Sequence, residues 1–314
     1  MLEENNEKLK KLLDEFLIGK DCNPDDSIKN INLLKNLAKN EAVEILNFFA
    51  RKENNPKVLL HIVQMIGKYK EKSSAEVLIE ILTDYKSPEE QDKYLKIRCT
   101  TANILGELKD DSAVVPLMYI MNDKNEYYKI RLSAAEALGK IGNIYAVTPL
   151  INIVTDEEEK SVYLRESAAK ALGMIGDERA VDPLISIIET KQGIIDKFTF
   201  LKEKTIEALG KLGFNYDKKL NALKKTLMDE SPQVRISAME ALCEIDDEII
   251  VTLIEPMLYD PDKDVATSAV NALYNTEGRD HIINLLQKKD LPDCCRAEIH
   301  EILEEDEEDD DEDE

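Results

Sequence analysis

The sequence predicts an all-α protein, a right-handed α-solenoid of about eight stacked helix pairs with a capping helix at each end. The 314 residues are rich in Leu, Ile, Ala, Glu and Lys and include only 11 Gly and 10 Pro, which favours helix. A Leu/Ile–Gly step recurs at intervals of 31 to 39 residues. Because no strand pattern accompanies it, a repeat of this length is typical of helix pairs that stack on their neighbours.

The recurring step marks the end of the first helix of each pair, the A helix. In the stretch RLSAAEALGKIGN, which starts at Arg131, Ala134, Ala137 and Leu138 have the spacing of one helical face. The glycine that follows lies near the helix end, where a turn or close packing requires a small residue. The step occurs at Ile66–Gly67, Leu105–Gly106, Leu138–Gly139, Leu172–Gly173 and Leu209–Gly210, and without glycine at Leu242–Cys243 and Leu273–Tyr274.

The second helix of each pair, the B helix, follows within a few residues. Three copies read AVVPLMYIMND (113–123), AVTPLINIVTD (146–156) and AVDPLISIIET (180–190). The proline in each copy lies early in the helix, where its missing N–H is tolerated. Pairs are predicted to start near residues 27, 56, 94, 128, 162, 198, 232 and 263.

The ends of the chain differ from the repeats, as capping elements should, because each end of a stack faces water. We expect an N-terminal capping helix in 1–26, the repeats in 27–290 and a C-terminal capping helix in 291–303. Residues 304–314, EEDEEDDDEDE, are all acidic and are predicted to form a disordered tail. Two interpretations of the tail stay open: it binds a basic partner, or it only keeps the protein soluble.

The repeats resemble HEAT repeats, and in particular the short HEAT-like class also seen in phycobilisome lyases. The resemblance is carried by VRISAMEALCEI, IRLSAAEALGKIGNIYAVTPLINIV and LRESAAKALGMIGDERAVDPLISII. It covers 95–245 best and extends to 56–94 and 246–290. It implies an architecture and leaves the function open, since this solenoid serves scaffolds, adaptors and enzymes alike.

A basic residue recurs eight positions before the glycine column. It can be a ligand-binding ladder or a structural ladder between layers, and its occurrence once per repeat favours the structural interpretation. Its predicted partners are acidic residues of the preceding junctions, such as Asp123, Asp156 and Asp229. The row consists of Arg98, Arg131, Arg165, Lys202 and Arg235.

Catalytic, cofactor and metal sites are not predicted. The HEAT-like deoxyhypusine hydroxylases bind two irons through several His-Glu pairs, whereas this sequence has one such pair, His300–Glu301. A phosphate-binding loop and a serine nucleophile motif are also missing. The cysteines, including Cys99, Cys243 and the adjacent Cys294 and Cys295, are interpreted as structural, and their odd, scattered set predicts a reducing, cytoplasmic location.

Net charge argues against nucleic acid as a partner. The chain carries −24, and the 303 residues before the acidic tail still hold 54 acidic against 41 basic side chains. The sequence also contains no membrane-spanning stretch and no apolar signal-peptide core at its start.

The predicted function is a non-enzymatic scaffold or adaptor that holds a protein partner with a basic surface in the concave groove of the B helices. The alternative is a lyase-like enzyme, or a subunit of one, that acts on a protein-bound chromophore or another protein modification. Two long junctions, 84–94 and 189–200, also mark candidate binding loops. The predicted partner-binding residues are Glu76, Glu80, Tyr119, Asn152, Asp182, Ser186, Glu189, Lys225 and Tyr259.

Overall fold

A computed structural model describes residues 23–84, 88–190, 196–245 and 247–312. Within these ranges A and B helices alternate along the chain and no strand occurs, which confirms the predicted all-α solenoid of helix pairs. The predicted N-terminal capping helix lies almost entirely outside the described residues, as do parts of both long junctions.

Seventeen helices, α1 to α17, follow one another in the described ranges. The A helices are α1 (Pro24–Leu33), α3 (Pro56–Tyr69), α5 (Pro88–Leu108), α7 (Tyr128–Ile141), α9 (Val162–Ile175), α11 (Asp196–Lys211), α13 (Pro232–Cys243) and α15 (Lys263–Glu277). The B helices are α2 (Lys39–Ala50), α4 (Ala75–Thr83), α6 (Val114–Asn122), α8 (Val147–Thr155), α10 (Val181–Glu189), α12 (Tyr216–Thr226), α14 (Ile249–Ile254) and α16 (Arg279–Leu285). The last helix is α17 (Asp293–Glu312).

Three pairs start earlier than predicted, at Pro24, Pro88 and Asp196 instead of near residues 27, 94 and 198. Helix α1 begins at Pro24 instead of residue 27, because the side chain of Asn23 accepts the backbone N–H groups of Asp25 and Asp26. Helix α5 begins at Pro88 instead of residue 94, directly after a serine. The start at Pro24 thus combines a capping side chain with a proline in the first turn.

The chain forms two compact units, which divide after Ile153 within α8. In the first unit each A helix packs on the next, from α1 through α3 and α5 to α7. In the second unit the same holds from α9 through α11, α13 and α15 to α17. B helices fill the spaces beside them, as α4 does against α5 and α10 against α11.

The glycine column lies where consecutive A helices approach most closely. A Cβ atom added to Gly106 would lie 2.8 Å from the Cα atom of Ala137 in the next A helix, a distance that real contacts do not show. The same 2.8 Å separates a Cβ added to Gly173 from the Cα atom of Ala208. The Leu–Gly step therefore exists because two helix backbones meet there, with glycine on one helix and alanine on the other.

The basic row ties each A helix to the end of the B helix before it. The last carbonyl groups of a helix have no partner within the helix, and a side-chain donor can satisfy them. In three layers the arginine Nε donates to such a carbonyl oxygen: Arg98 to Leu82 (2.8 Å), Arg131 to Met121 (2.9 Å) and Arg165 to Val154 (3.0 Å).

The carboxylates paired with this row come from the following junction, which corrects the prediction that they lie in the preceding one. Asp229, for example, pairs with Lys202, while Arg235 donates to the backbone oxygen of Asp229 at 2.8 Å. The basic side chain thus donates to backbone carbonyl groups on its N-terminal side in the chain and pairs with a carboxylate of the following junction. The pairs are Arg98–Glu126 (2.7 Å), Lys202–Asp229 (2.9 Å) and Arg235–Asp260 (2.7 Å).

The C-terminal helix extends beyond its predicted end. We predicted a capping helix over 291–303 and disorder over 304–314, whereas α17 continues as far as Glu312. The all-acidic sequence of the tail offers no apolar surface for packing. Once a helix is nucleated, however, each further residue adds a backbone hydrogen bond at little cost, so an existing helix can extend into a polar segment.

Replacing the column glycines by alanine should destabilise the protein in proportion to the closeness of the contact. We expect Gly106→Ala and Gly173→Ala each to lower the free energy of unfolding by about 1–3 kcal/mol, because the added methyl group forces two backbones apart. Gly210→Ala should cost less, since its Cβ would lie 3.1 Å from the Cβ of Ala241. Urea unfolding followed by circular dichroism measures the differences.

Gly213→Ala is the matched control, because a Cβ at this position meets nothing within 4 Å. Its unfolding should be unchanged or slightly shifted to higher urea. A Gly106→Ala variant as stable as this control would show that the A helices are not held at the distance described.

A surface cluster on α11 makes stability depend on pH. Hydrogen bonds from Lys211 and then from Lys204 lower the pKa of Glu207 to about 2 from its ordinary value of 4.5. Between these values the unfolded chain binds more protons, so the stabilising contribution of Glu207 is complete above pH 4.5 and is lost as the pH falls towards 2.

We therefore expect the Glu207→Gln variant to lose less stability than the wild-type protein between pH 4.5 and 2. The difference should stay below about 1 kcal/mol, because the three side chains are partly exposed and solvent screens their interaction. Urea midpoints measured at several pH values test this. Parallel pH profiles of the two proteins would contradict the assigned pKa.

Candidate functional site: the exposed face of the B helices

All nine predicted partner-binding residues are exposed, which the packing of the B helices explains. In α6, for example, Leu117 and Ile120 are fully buried, while Val115 and Tyr119 point away from them and are 69% and 67% exposed. The nine lie on α4, α6, α8, α10 and α12 and, for Tyr259, on the short helical turn Glu255–Tyr259. Their role in binding a partner stays a prediction.

In the first unit the two predicted glutamates share one basic partner. Arg51, at the end of α2, donates from Nε to Glu80 at 2.8 Å and from Nη2 to Glu76 at 3.1 Å. The hydrogen bond that Arg51 donates to Glu80 is the largest cause that raises the pKa of Arg51 above its ordinary value, an effect that burial opposes. The sequence analysis missed Arg51 because it follows its helix in the chain and does not belong to the B-helix pattern.

In the second unit the acidic residues of α10 are paired with lysines of α12. The amino group of Lys218 lies 2.8 Å from the carboxylate of Asp182, and that of Lys225 lies 2.7 Å from Glu189. Glu189 and Lys225 were predicted separately and form one ion pair. These charges are exposed, so each pair contributes little stability, but together they leave this part of the face nearly neutral.

Between the paired charges of α4 and the end of the first unit lies a patch without ion pairs, the α6 patch. It consists of Val115 and Tyr119 on α6 together with Ile144 and Tyr145 on the helical turn that packs against α6. Ile144 and Tyr145 are 57% and 76% exposed. Of these four, the sequence analysis named only Tyr119. The other three were missed because an exposed apolar residue beside a buried one resembles a core position in sequence.

The turn that carries half of the α6 patch is held in place by polar contacts. The side-chain amide of Asn143 donates to Asp111 at 2.8 Å, and its carbonyl oxygen accepts the backbone N–H of Tyr145 at 3.0 Å. These bonds connect the start of one B helix to the start of the one before it. The exposed aromatic side chain of Tyr145 therefore projects from a fixed backbone.

The second unit contains a cavity of about 90 Å³ at the basic row. It lies between the ends of α8 and α10 and the starts of α9 and α11, and Ser186 connects it to the exposed B-helix face. Two members of the basic row reach its wall. The lining residues are Thr155, Glu157, Arg165, Ser186, Ile187, Thr190, Leu201 and Lys202.

Metal-ligating and nucleophilic side chains do not gather at this face. Within the described part of the chain, no three His, Cys, Asp or Glu residues lie close enough to hold a metal ion. Burial, as the largest of several causes, raises the pKa of Cys295 to about 12, and its thiol lies 3.4 Å from the carbonyl oxygen of Leu258. Helix α17 therefore uses this cysteine for packing. None of the described helices is long and apolar enough to cross a membrane.

Comparisons with known families agree with the repeat architecture. A model described as HEAT repeats matches residues 89–163, and a model described as PBS lyase HEAT-like repeat matches residues 164–190. No curated protein matches the sequence at a significant level.

Solved structures of three kinds resemble the fold at low sequence identity. The karyopherin Kap121p, solved bound to the extreme C-terminus of the phosphatase Cdc14p, shares 16% identity over 94% of this chain and 37% of its own, with a TM-score of 0.54. A chain of the CpcE–CpcF phycocyanin lyase complex from Nostoc sp. PCC7120 shares 23% sequence identity over 72% of this chain and 92% of its own, with a TM-score of 0.45. Human deoxyhypusine hydroxylase in complex with glycerol shares 16% sequence identity over 86% of this chain and 96% of its own, with a TM-score of 0.36.

The resemblance is one of fold, and it agrees with the residues that build the layers. The matched segments contain the Leu–Gly steps, the small residues beside them and three members of the basic row. With the alternating A and B helices, these matches show that residues 89–190 consist of HEAT-like repeats.

Proposed function

We propose that this protein is a non-enzymatic scaffold or adaptor that binds a protein partner on the exposed face of its B helices. The observation that carries the proposal is the α6 patch, in which Tyr119 and Tyr145 are largely exposed on a fixed backbone. Exposed aromatic and apolar side chains on elements that pack together are typical of interaction sites, and tyrosine is enriched among residues that dominate binding energy.

We further propose that the partner presents a basic surface. The net charge of −24 creates a field that attracts cations over a distance and raises the rate of encounter. An arginine or lysine of the partner would then contact the ring of Tyr119, because a cation above an aromatic face is attracted to it. Binding of nucleic acid requires clustered cations that neutralise phosphates. The described B-helix face carries its lysines largely in ion pairs with carboxylates, which disfavours nucleic acid as the partner.

The family matches support the same class of function. HEAT-like repeats present extended surfaces that suit protein recognition. One structure with this fold, the karyopherin, was solved with a peptide segment of another protein bound. That complex supports a protein segment as the kind of ligand and does not identify the partner of this chain.

A lyase-like activity is the second candidate, favoured by the match of residues 164–190 to the PBS lyase HEAT-like repeat. In that case the chain would act on a protein-bound chromophore or on another modification. Purified protein that carries a visible absorption band, or that gains one from a chromophore-bearing protein, would support this candidate over a scaffold.

Replacing Tyr119 by alanine should weaken partner binding by about tenfold or more, since truncation of a central aromatic side chain often costs 2 kcal/mol or more. The experiment isolates partners from native extract with the immobilised protein, identifies them by mass spectrometry and measures the dissociation constant by calorimetry. The fold should be unaffected, because the Tyr119 side chain is 67% exposed.

Tyr163→Ala is the matched control. Tyr163 is 66% exposed but lies on an A helix, α9, and not on a B helix. Binding that is weakened equally by both substitutions, or by neither, would contradict the assignment of the partner to this face.

The basic character of the partner predicts a salt dependence. Raising the salt concentration from about 50 to 300 mM should weaken binding to the wild-type protein, because screening reduces the attraction between opposite charges. A variant that lacks residues 304–314 shows whether the tail contributes. A smaller salt effect in that variant assigns a binding role to the tail, and an unchanged effect leaves only solubility. Salt-independent binding would contradict a basic partner.

A further inference from the structure

The first three B helices carry one column of side chains on their outer faces, the B-helix column. It consists of Phe48 on α2, Glu80 on α4 and Tyr119 on α6, which all lie in the first unit. Each of them follows one buried residue by two positions and directly precedes another, so the three hold the same place in their helices. The flanking residues, all at most 8% exposed, are Leu46 and Phe49, Leu78 and Ile81, and Leu117 and Ile120.

Two residues of the B-helix column already hold a cation that belongs to the chain itself. The amino group of Lys52 lies 4.0 Å from the centre of the Phe48 ring. Arg51 contacts both oxygens of Glu80, from Nε at 2.8 Å and from Nη2 at 3.2 Å. An aromatic face and a carboxylate that accepts two parallel hydrogen bonds are both established ways to bind a cation. The first two layers therefore show what kind of ligand these positions accept.

Tyr119 offers the third position of the B-helix column to a cation from outside the chain. The residue is 67% exposed, and the planar guanidinium group of an arginine stacks well on such a ring. One layer away, the side chains of Arg51 and Glu76 are 41% and 82% exposed in their ion pair. Exposed ion pairs contribute little stability, so an arginine of a partner can displace Arg51 at small cost.

We propose that the B-helix column binds an extended segment of a partner in which two arginines lie three residues apart. One guanidinium group covers the ring of Tyr119, and the other takes the place of Arg51 at Glu80 and Glu76. Arg51 is then an internal competitor, which occupies the two carboxylates in the unbound protein. This inference rests on the proposed binding of a basic partner to the B-helix face, and it adds the residue type, the spacing and a means of regulation.

The distance between layers determines the spacing of the two arginines. Packed helices lie about 8–10 Å apart. An extended polyproline-type segment advances about 3.1 Å per residue with three residues per turn, so two side chains three residues apart project from the same side, about 9 Å from each other. Adjacent arginines point in different directions and are too close together to reach both layers. The B-helix column therefore favours Arg-x-x-Arg over Arg-Arg.

The contact that Arg51 makes favours arginine over lysine in the partner. Two nitrogens of its guanidinium group reach the two oxygens of Glu80, and Nη2 also lies 3.1 Å from Glu76. A lysine presents a single ammonium group and cannot reproduce this planar contact.

Two peptides of equal composition and charge test the spacing. Acetyl-GRPPRG-amide holds its arginines three residues apart, whereas acetyl-GPRRPG-amide holds them side by side. We expect the first peptide to bind the wild-type protein about two- to fivefold more tightly, the ratio expected for one additional exposed charge contact. Titrations followed by proton–nitrogen correlation spectra give both dissociation constants. The Nε–H signal of Arg51 should shift with the first peptide as its carboxylates are taken over.

Arg51→Ala tests the competition. The variant frees Glu80 and Glu76, so it should bind acetyl-GRPPRG-amide about two- to fivefold more tightly than the wild-type protein does. Lys39→Ala is the matched control. It removes the same charge and an exposed ion pair, with Glu71, but at the opposite end of α2. Its effect on peptide affinity should be markedly smaller, because salt screens charges that are not in contact with the peptide.

Each outcome decides a part of the proposal. Equal affinities of the two isomeric peptides, or no saturable binding of either, would overturn the site. Equal gains from Arg51→Ala and Lys39→Ala would overturn the role of Arg51 as a competitor. Equal binding of acetyl-GKPPKG-amide would overturn the choice of arginine.

The outcome is separable from that of the scaffold function, which is tested with the native partner and Tyr119→Ala. A native partner that is weakened by Tyr119→Ala, together with equal affinities of the isomeric peptides, would contradict only the arginine spacing. A clear preference for acetyl-GRPPRG-amide without any protein partner from native extract would contradict only the scaffold function.

Discussion

The structure depends on the distance at which consecutive A helices meet. At the glycine column a Cβ atom would reach the backbone of the next helix, as at Gly106 against Ala137. Such close approach lets the flanking leucines of both helices become fully buried, Leu105 and Leu138 among them. Because each layer is fixed by its neighbours, small residues recur at this column in most layers, and this constraint produces the repeat in the sequence.

The basic row solves a second problem that stacking creates. Where a B helix ends against the next A helix, its last carbonyl groups are removed from water without partners in the helix. The arginines satisfy them, as Arg131 does for Met121, but each arginine brings a buried charge that must itself be balanced. At Arg98 and Arg235 a carboxylate from the following junction supplies that balance, so one side chain connects the preceding B helix to the following junction.

Most of the fold could be predicted from the sequence, because the features that build it are repeated. The small residues and the Leu–Gly step predicted the A helices, and five of the eight predicted pair starts, for example those at Pro56 and Tyr128, agree with the structure to the residue. The misplaced start at Pro88 has a local cause, since a long junction obscured the change from loop to helix. The prediction that each basic residue pairs with a carboxylate of the preceding junction was wrong for another reason. Whether Asp229 pairs with Lys202 or with Arg235 depends on the offset between two neighbouring layers, and sequence spacing does not specify that offset.

The candidate site could be predicted only in outline. The B-helix pattern identified exposed positions correctly, but Arg51 and Lys218 neutralise several of them from outside the predicted set. Pairing across layers requires knowledge of which side chains meet, and charge composition does not contain it. The apolar side chains of Val115 and Ile144 were missed because hydrophobicity alone does not distinguish a buried residue from an exposed one.

What distinguishes the layers is confined to positions that stacking leaves free. The sixth residue of α4, α6, α8 and α10 is Glu80, Tyr119, Asn152 and Ser186 in turn. The same place in the helix is therefore acidic, aromatic, amide-bearing and hydroxyl-bearing in successive B helices. None of these side chains is needed for packing, since all four are exposed. Within each unit the glycine column and the basic row hold the backbone, so these exposed positions can change without loss of the fold.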